Sequence, residues 1–303
     1  MGQEIAFLIN EHSGQGEARE LAEIAREGLP GLQVQSTLPR SALELTEFCK
    51  NLPPQETRAA VVFGGDGTLN YALRGLLDSE IPLYPYPSGT ANDLANENGI
   101  TRSPEQLGRL MKSGATREVR VLQVNGIPFS TISGIGIGSK VCDEYNRMRA
   151  RFQWIQRLPK RFNCEIYSLL ATRTMMKNWG RGHLVRLVSE ELNEVVHTSI
   201  LMVCNQSTLA GNLRVAPMQT PEEDSFTVMF HKEPCGSGTL KSLAKMKFGR
   251  LDSGFRSFKT KKLRIESLNG EPLQAFGDGE ILTTSSSLDF RVHPKKLKIF
   301  SDR

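Results

Sequence analysis

The chain reads as two folds in series: an α/β half, then a mostly β half. Three observations predict this. In the first third, apolar runs stop at turns bearing Gly, Ser/Thr and Asn, and each turn opens a helical pattern. From residue 119 onward, short β-branched runs follow one another across Asn-Gly and similar turns, with few helical intervals. The charge changes sign near the same place. Residues 1–121 hold 11 Lys/Arg against 16 Asp/Glu, and the remainder holds 27 against 17.

The first strand is expected at Ile5 to Ile9. It is followed by Asn10-Glu11-His12-Ser13-Gly14-Gln15-Gly16 and a helix to about Gly28. Ala60-Val61-Val62-Phe63 is a second buried strand, ending at Gly64-Gly65-Asp66-Gly67-Thr68-Leu69-Asn70. Thr68 to Ser79 then reads as a helix with Leu69, Leu73, Leu76 and Leu77 on one face. A third unit runs from Ile81 to Tyr86 through Pro87-Ser88-Gly89-Thr90-Ala91-Asn92-Asp93-Leu94-Ala95, with a helix to about Asn98 and Gly99 as its C-cap. Glycine at such turns lets backbone approach a bulky anion, at which the orphan N–H groups of the first helical turn point. A phosphate fits, and Asp66 suits one that carries Mg²⁺. The plainer reading is a Gly-Gly turn with Asp66 and Thr68 as helix caps. Three such turns together are what the carboxyl edge of a parallel sheet needs to bind a nucleotide.

In the second half, Val119–Val124 and Phe129–Ile135 form an expected hairpin about Asn125-Gly126. Leu184–Ser189 and Val195–Val203 form another, turned at Glu191-Leu192-Asn193. Phe226–Phe230, Leu263–Leu268, Leu273–Phe276 and Leu288–Val292 are further strands. Helices are expected at about Ser139–Met148, Asn163–Trp179 and Thr239–Phe248. In the second of these, Ile166, Leu169, Leu170 and Met176 define an apolar face expected to be buried. Gly277-Asp278-Gly279-Glu280 is either a hairpin turn or an exposed carboxylate that can approach a substrate closely, with Glu280 on the same strand face if the strand continues.

At 39% apolar residues the composition is globular, and no apolar run approaches the roughly 20 residues a membrane span needs. Met1-Gly2-Gln3-Glu4 is no signal peptide, and Ala6 stands where a myristoylated Gly2 would want Ser or Thr. The cysteines Cys49, Cys142, Cys164, Cys204 and Cys235 lack a metal-like spacing and read as free thiols of a cytoplasmic protein. Positive charge concentrates in Arg147–Arg186, with ten Lys/Arg against Glu165, and in Lys241–Arg264, with nine against Asp252. Such stretches attract anionic lipid, and by the same charge nucleic acid, or they are simply a solvated face. Phe152, Ile155, Leu158 and Phe162 recur at near-helical spacing beside Trp154 and among Arg149, Arg151, Arg157, Lys160 and Arg161. That pattern is of membrane-interface type, although core packing explains such a stripe equally well.

Gly64–Asn70 together with Pro87–Ala95 resembles the diacylglycerol kinase catalytic domain, in the form found in soluble bacterial lipid kinases. Gly-Gly-Asp-Gly is shared across a superfamily that includes sphingosine and ceramide kinases, NAD kinases and phosphofructokinases. Gly89-Thr90-Ala91-Asn92-Asp93 is specific to the lipid kinase branch, and the Asn-Glu-Asp-like segment of NAD kinases is not found. Asn205–Pro217 and Gly277–Glu280 are similar to later family motifs. The chain departs from the family at Glu11, where Pro is usual, and at Ala210-Gly211-Asn212, where a Gly-rich stretch is common. It departs again at Glu222-Glu223-Asp224-Ser225, where relatives carry Asp-Asp-Gly or similar.

The resemblance implies a three-layer, Rossmann-like nucleotide domain over 1–121 with a returning segment 293–303. It also implies an antiparallel β-sandwich over 122–292 that carries the lipid pocket, with the active site in the cleft between them. The implied activity is ATP- and Mg²⁺-dependent transfer of a γ-phosphoryl group to the hydroxyl of diacylglycerol or a related lipid alcohol, a step of phospholipid metabolism. In that scheme Asp278 is the general base and Glu280 assists it or binds metal. Asp66 positions Mg²⁺ and is the second choice for base. Asn10, Ser13, Gly14, Gly64, Gly65, Gly67, Thr68, Asn70, Gly89, Thr90, Asn92 and Asp93 hold the nucleotide or order its loops. Glu223 and Asp224 are candidates for a structural metal, or else a solvated acidic turn. The expected partners are the lipid alcohol and, transiently and peripherally, an anionic membrane surface, not nucleic acid. A homodimer is allowed. The alternatives are a small-molecule kinase of the NAD kinase type and a nucleotide- or lipid-binding protein without turnover.

Overall fold

The computed structural model describes residues 4–11, 16–152, 160–209, 213–216, 219, 223–247, 250 and 252–302. The chain divides into two compact units. One contains Met1–Val119 and Pro294–Arg303, the other Arg120–Ile155 and Pro159–His293.

The first unit begins β1 (Glu4–Ile9), α1 (Ala18–Glu27), β2 (Val34–Thr37), α2 (Ala42–Lys50) and β3 (Thr57–Gly64). It continues α3 (Asp66–Leu76), β4 (Leu83–Pro87), α4 (Asp93–Glu97) and α5 (Pro104–Ser113). The strands lie in the order β2-β1-β3-β4, all parallel. β1, β3 and β4 are buried nearly throughout, because helices cover both faces of a parallel sheet. Phe7, Val61, Phe63, Tyr84 and Tyr86 pack under Ala22 and Ala25 of α1 and Leu107, Leu110 and Met111 of α5. α2 and α3 pack together, where Thr46 donates from Oγ1 to the Tyr71 carbonyl at 2.8 Å. β2, α2 and α5 carry local signals beyond the strands and helices expected above. Ser41 Oγ accepts from Glu44 N while Glu44 Oε2 accepts from Arg40 N, which starts α2. α5 has Ser103 as cap, Pro104 in its first turn and Gly114 at φ +66 after its end.

The second unit contains β5 (Thr116–Val124), which enters it from the first, then β6 (Ile127–Phe129), β7 (Ile132–Gly136), α6 (Ile137–Arg151) and α7 (Lys160–Lys177). Next come β8 (His183–Val188), β9 (Asn193–Thr198), β10 (Ile200–Cys204) and the two-residue β11 (Thr208–Leu209) and β12 (Leu213–Arg214). β13 (Phe226–His231), α8 (Ser237–Lys247), β14 (Phe255–Thr260), β15 (Lys262–Ser267), β16 (Leu273–Gly277), β17 (Glu280–Ser285) and β18 (Ser287–Phe300) complete the chain. β18 ends in the first unit, where Ile299 pairs in parallel with Leu83.

One antiparallel sheet runs β14-β13-β10-β7-β16-β17. The other holds β18, β15, β8 and β9, with the β5–β6 hairpin. Between them lies a core of Leu122, Phe129, Leu187, Leu201, Val203, Phe226, Phe230, Leu263 and Phe290, so the unit is a sandwich. The reverse face of the first sheet carries a second core. There Ile200, Met202, Cys204, Met229 and Phe255 meet Tyr145, Leu170, Met175 and Met246 from α6, α7 and α8. β10 is therefore buried on both faces, with alternate residues serving the two cores.

Three expectations need correction. Phe129–Ile135 is not one strand, because the chain leaves β6 at Ser130-Thr131 and joins the other sheet as β7. Val195–Val203 likewise divides between β9 and β10 at Ser199. The apolar face of α7 is not buried as a unit. Leu170 is buried and Ile166 half-buried, but Leu169 and Met176 are among the most exposed large apolar side chains of the described residues.

Candidate functional site

In the first unit, the strand order places the ends of β1, β3 and β4 side by side at the point where the winding reverses, the usual ligand crevice of an open α/β sheet. Asn10 N donates to the Phe63 carbonyl at 3.1 Å, and Asn10 Nδ2 donates to Thr68 Oγ1 at 2.8 Å. The loop after β1 is thereby tied to the first turn of α3. That helix starts at Asp66 with Gly65 at its cap position, where no side chain is available to cap it. The N–H groups of this first turn are the orphan donors of a helix N-terminus, a candidate anion cradle, while the missing Cβ atoms make room for the Thr68 side chain at Gly64 and for the Gly89 backbone at Gly65.

The loop after β4 closes on this cradle backbone to backbone. A Cβ on Gly65 would lie 3.1 Å from Gly89 Cα, and one on Gly89 would overlap the Gly65 backbone. Asn92 shapes the loop. At φ 54 it turns its amide back, so that Oδ1 accepts from Gly89 N at 2.7 Å and Nδ2 donates to the Gly89 carbonyl at 2.9 Å. Ser88, fully buried, donates its N–H to Gly64 O at 3.2 Å. Gly65 holds the cap position of α3, and Asp66 is the first residue of the helix. Asp66 Oδ1 accepts from Leu94 N at 3.3 Å in the first turn of α4, so a single carboxylate joins both loops. Arg102 braces the loop from outside, accepting the Tyr86 hydroxyl at its carbonyl and donating from Nε to Pro87 O at 2.6 Å. Burial pushes the Tyr86 phenol above its usual range, so it stays protonated as that donor.

Gly67 and Thr90 are half-exposed on these two loops, Asp93 is buried at the start of α4, and Asn70 is buried one turn into α3. Ser13 and Gly14 lie outside the described residues.

In the second unit, Gly277-Asp278-Gly279-Glu280 is the hairpin between β16 and β17, with Gly277 paired to Glu280. Asp278 takes φ 52 in this two-residue turn, which swings its side chain inward. The expected exposed carboxylate is in fact 2% accessible. Its Oδ2 accepts from Ser130 N at 2.8 Å and Ser130 Oγ at 3.2 Å, and its Oδ1 from Thr131 N at 2.8 Å and Thr131 Oγ1 at 2.5 Å. This is why the chain breaks between β6 and β7, since both amides serve Asp278 instead of a ladder. Asn205 holds the same turn, donating from Nδ2 to Ser130 O at 2.6 Å and from its N–H to Thr131 O at 2.9 Å. Buried Arg120 donates from Nε to Asn205 Oδ1 at 2.7 Å and reaches the Glu223 and Ser225 carbonyls.

Because the strand stops at the turn, Glu280 does not share a face with Asp278. It is half-exposed, with Asn146 Nδ2 3.4 Å from Oε2 and 3.0 Å from the Gly279 carbonyl. Ser130, Thr131, Arg120 and Asn146 had no signal in the sequence, because each acts through a partner 85 or more residues away or on another element. Glu223 Oε2 pairs with Lys259 Nζ at 2.6 Å, and Asp224 is exposed beside it. The described residues contain no group of three or more metal-ligating side chains.

Residues 4–124, which hold the cradle and both glycine loops, match the family model of the diacylglycerol kinase catalytic domain. This stretch of the chain belongs to that family. The chain is 34% identical over 153 residues to a diacylglycerol kinase of Mycobacterium tuberculosis, covering 48% of this chain and 50% of that protein. It thus spans about half the length of the first curated relatives it matches. An NAD kinase of Nitratidesulfovibrio vulgaris is 34% identical over 121 residues, 38% of this chain and 40% of that protein. The crystal structure of a diacylglycerol kinase from Bacillus anthracis superposes with a TM-score of 0.70 at 17% identity, covering 99% of this chain and 97% of that one, and shares the fold.

Proposed function

We propose that the chain is a lipid kinase that transfers the γ-phosphoryl group of ATP to the hydroxyl of diacylglycerol or a related lipid alcohol. The observation that carries this reading is the cradle at the start of α3, closed by the Gly89–Asp93 loop, within a stretch belonging to the diacylglycerol kinase family. Phosphoryl transfer needs positioning and charge neutralisation more than covalent chemistry. The N–H groups of Asp66, Gly67 and Thr68 would receive phosphate oxygens, and Asn10, through Thr68, would hold the turn that presents them. Asp66 fits a Mg²⁺ that arrives on the phosphates, since such an ion takes one or two carboxylates and no full protein cage. Bound there, the ion would offset charge on the oxygens of the transferred group.

The same reading assigns new roles to the second carboxylate pair. Asp278, buried and accepting four hydrogen bonds, acts as a positioning residue that fixes the Ser130-Thr131 turn. Glu280, half-exposed next to it and oriented by Asn146, is the better general base for a lipid hydroxyl. The test is incubation with γ-labelled ATP, Mg²⁺ and a panel of diacylglycerol, monoacylglycerol, phosphatidylglycerol, sphingosine and ceramide, with NAD as soluble acceptor. Label in one lipid supports the reading and identifies the substrate. Label in NAD alone overturns it in favour of the small-molecule kinase, for which the NAD kinase relative is the supporting observation.

A further inference from the structure

α7 buries Leu170, Thr174 and Met175 and turns a different face outward. Leu169, Thr172, Arg173 and Met176 follow one another at i, i+3, i+4 and i+7, the spacing of a single helical stripe, and all four are exposed. Leu169 and Met176 are 68% and 71% accessible, and Trp179, in the turn after the helix, is 54% accessible. That turn is fixed to the loop before α8 by two backbone hydrogen bonds, Gly180 N to Cys235 O at 2.7 Å and Cys235 N to Arg181 O at 2.8 Å. Leu240, in the first turns of α8, is again 46% accessible.

Exposed cations accompany these apolar side chains: Lys177 and Arg181 beside Trp179, Lys232 before the α8 loop, and Lys241 next to Leu240. Arg173 is committed to Glu144 at 3.1 Å, and Glu233 is an exposed acid on the α8 loop. An outward stripe of Leu and Met, a Trp at its end and exposed lysines that form no ion pair among the described residues is a poor protein interface, whose core excludes Lys. It matches the composition of surfaces that rest in the headgroup layer of anionic membranes.

We propose that the outer face of α7, with Trp179 and the start of α8, is where this chain inserts into an anionic lipid surface. Leu169, Met176 and Trp179 enter the interfacial layer, while Lys177, Arg181 and Lys241 meet lipid phosphates. The purpose of such a surface rests on the lipid kinase reading, but its existence does not, because binding is measured without turnover.

The experiment is co-sedimentation of the full chain with vesicles of phosphatidylcholine alone or mixed with phosphatidylglycerol. Leu169→Gln combined with Met176→Gln is compared with Val195→Gln, another exposed apolar residue, on β9. Expected is partition into anionic vesicles that falls about tenfold per removed α7 side chain and is unchanged by V195Q. Partition should also weaken with added salt. In a Trp154→Phe background, Trp179 emission should shift to the blue on vesicles. Unchanged partition of the double variant, or an unshifted Trp179, overturns the proposal. So does a concentration-dependent dimer that the same substitutions abolish, since the face would then belong to a second copy. The double variant should keep its rate on a short-chain diacylglycerol dispersed in water. Wild-type chain that binds vesicles through this face yet labels no lipid leaves the surface standing and removes the kinase reading.

Discussion

Replacing Gly89 by Ala tests the closure of the two glycine loops, and Gly65 provides an internal comparison. A methyl group on Gly65 would lie 3.1 Å from Gly89 Cα, a few tenths of an ångström inside ordinary contact. A methyl group on Gly89 would overlap the Gly65 Cα and come within 3.0 Å of both Gly65 N and Asn92 Oδ1. The two Gly65 atoms are backbone and cannot swing away, and the Asn92 amide is held by its own hydrogen bonds to Gly89. The Gly89 loop must therefore retreat by about 1 Å to restore carbon–carbon contact near 3.5 Å. That movement stretches the Asn92–Gly89 pair and displaces the loop from the start of α3. A shift of about 1 Å in a positioning element costs roughly 10²-fold in rate, or about 2.7 kcal/mol of transition-state stabilisation. Gly65→Ala needs only a small adjustment and should cost about tenfold or less. The assay is kcat/KM for transfer from labelled ATP, with binding of a fluorescent ATP analogue and Tm measured in parallel. Gly89→Ala with wild-type ATP binding and kcat/KM would refute the reasoning, and so would a Gly65→Ala variant weaker than Gly89→Ala.

Other outcomes follow from the same geometry. Asp278→Ala leaves the buried amides of Ser130 and Thr131 without their acceptor and should cost about 3–5 kcal/mol, lowering Tm by roughly 10 °C. An unchanged Tm with lost activity would return Asp278 to the catalytic role. Glu280→Gln should reduce kcat by about 10²–10⁴ with Tm unaltered if it is the base. A stability loss without a rate effect would remove that assignment. His183 is held below its ordinary value first by burial and then by Lys140, with His197 adding to the shift and Glu271 opposing it. A histidine kept neutral by folding contributes stability that is present above its unfolded value near 6.5 and is lost as pH falls below it. Urea melts between about pH 7 and pH 5 should therefore show falling stability, with a flatter slope in His183→Phe; equal slopes would exclude the residue as the source. Burial pushes the Cys142 thiol up to about 12, so the folded chain should resist alkylation there at neutral pH, as mass mapping after brief iodoacetamide treatment would show.

The turns of the first unit were readable in the sequence because each is local. Gly65, Asp66, Gly89 and Asn92 announce the strand end, the helix start and the left-handed residue within a few positions. α2 and α5 had equally local signals in Ser41–Glu44 and Ser103–Gly114, and these went unread beside the glycine loops. The second unit was less legible for a physical reason. Ser130-Thr131 sits inside an apolar stretch that alternates like one strand, and only Asp278, 147 residues later, breaks it. The Asp278-Gly279 turn looked the same whether its carboxylate faced water or protein, since φ 52 and the inward swing depend on the partner it finds. α7 defeated the usual inference from apolar spacing because it is apolar on two faces and only one is covered.

The sheet of β7, β10 and β13 separates two cores of unlike material. On the sandwich side the fillers are Leu, Val and Phe, shapes with few rotamers that interlock and resist deformation. On the helical side Met175, Met202, Met229 and Met246 gather with Cys204 and Cys235, and methionine is unbranched and readily reshaped. Leu201 and Met202 are chain neighbours on the same strand, yet one is set in a hard layer and the other in a soft one. Methionine contacts of this kind adapt to small changes in a helix's seat more readily than interlocked Leu and Phe do. α6, α7 and α8 are the elements that rest on the soft layer.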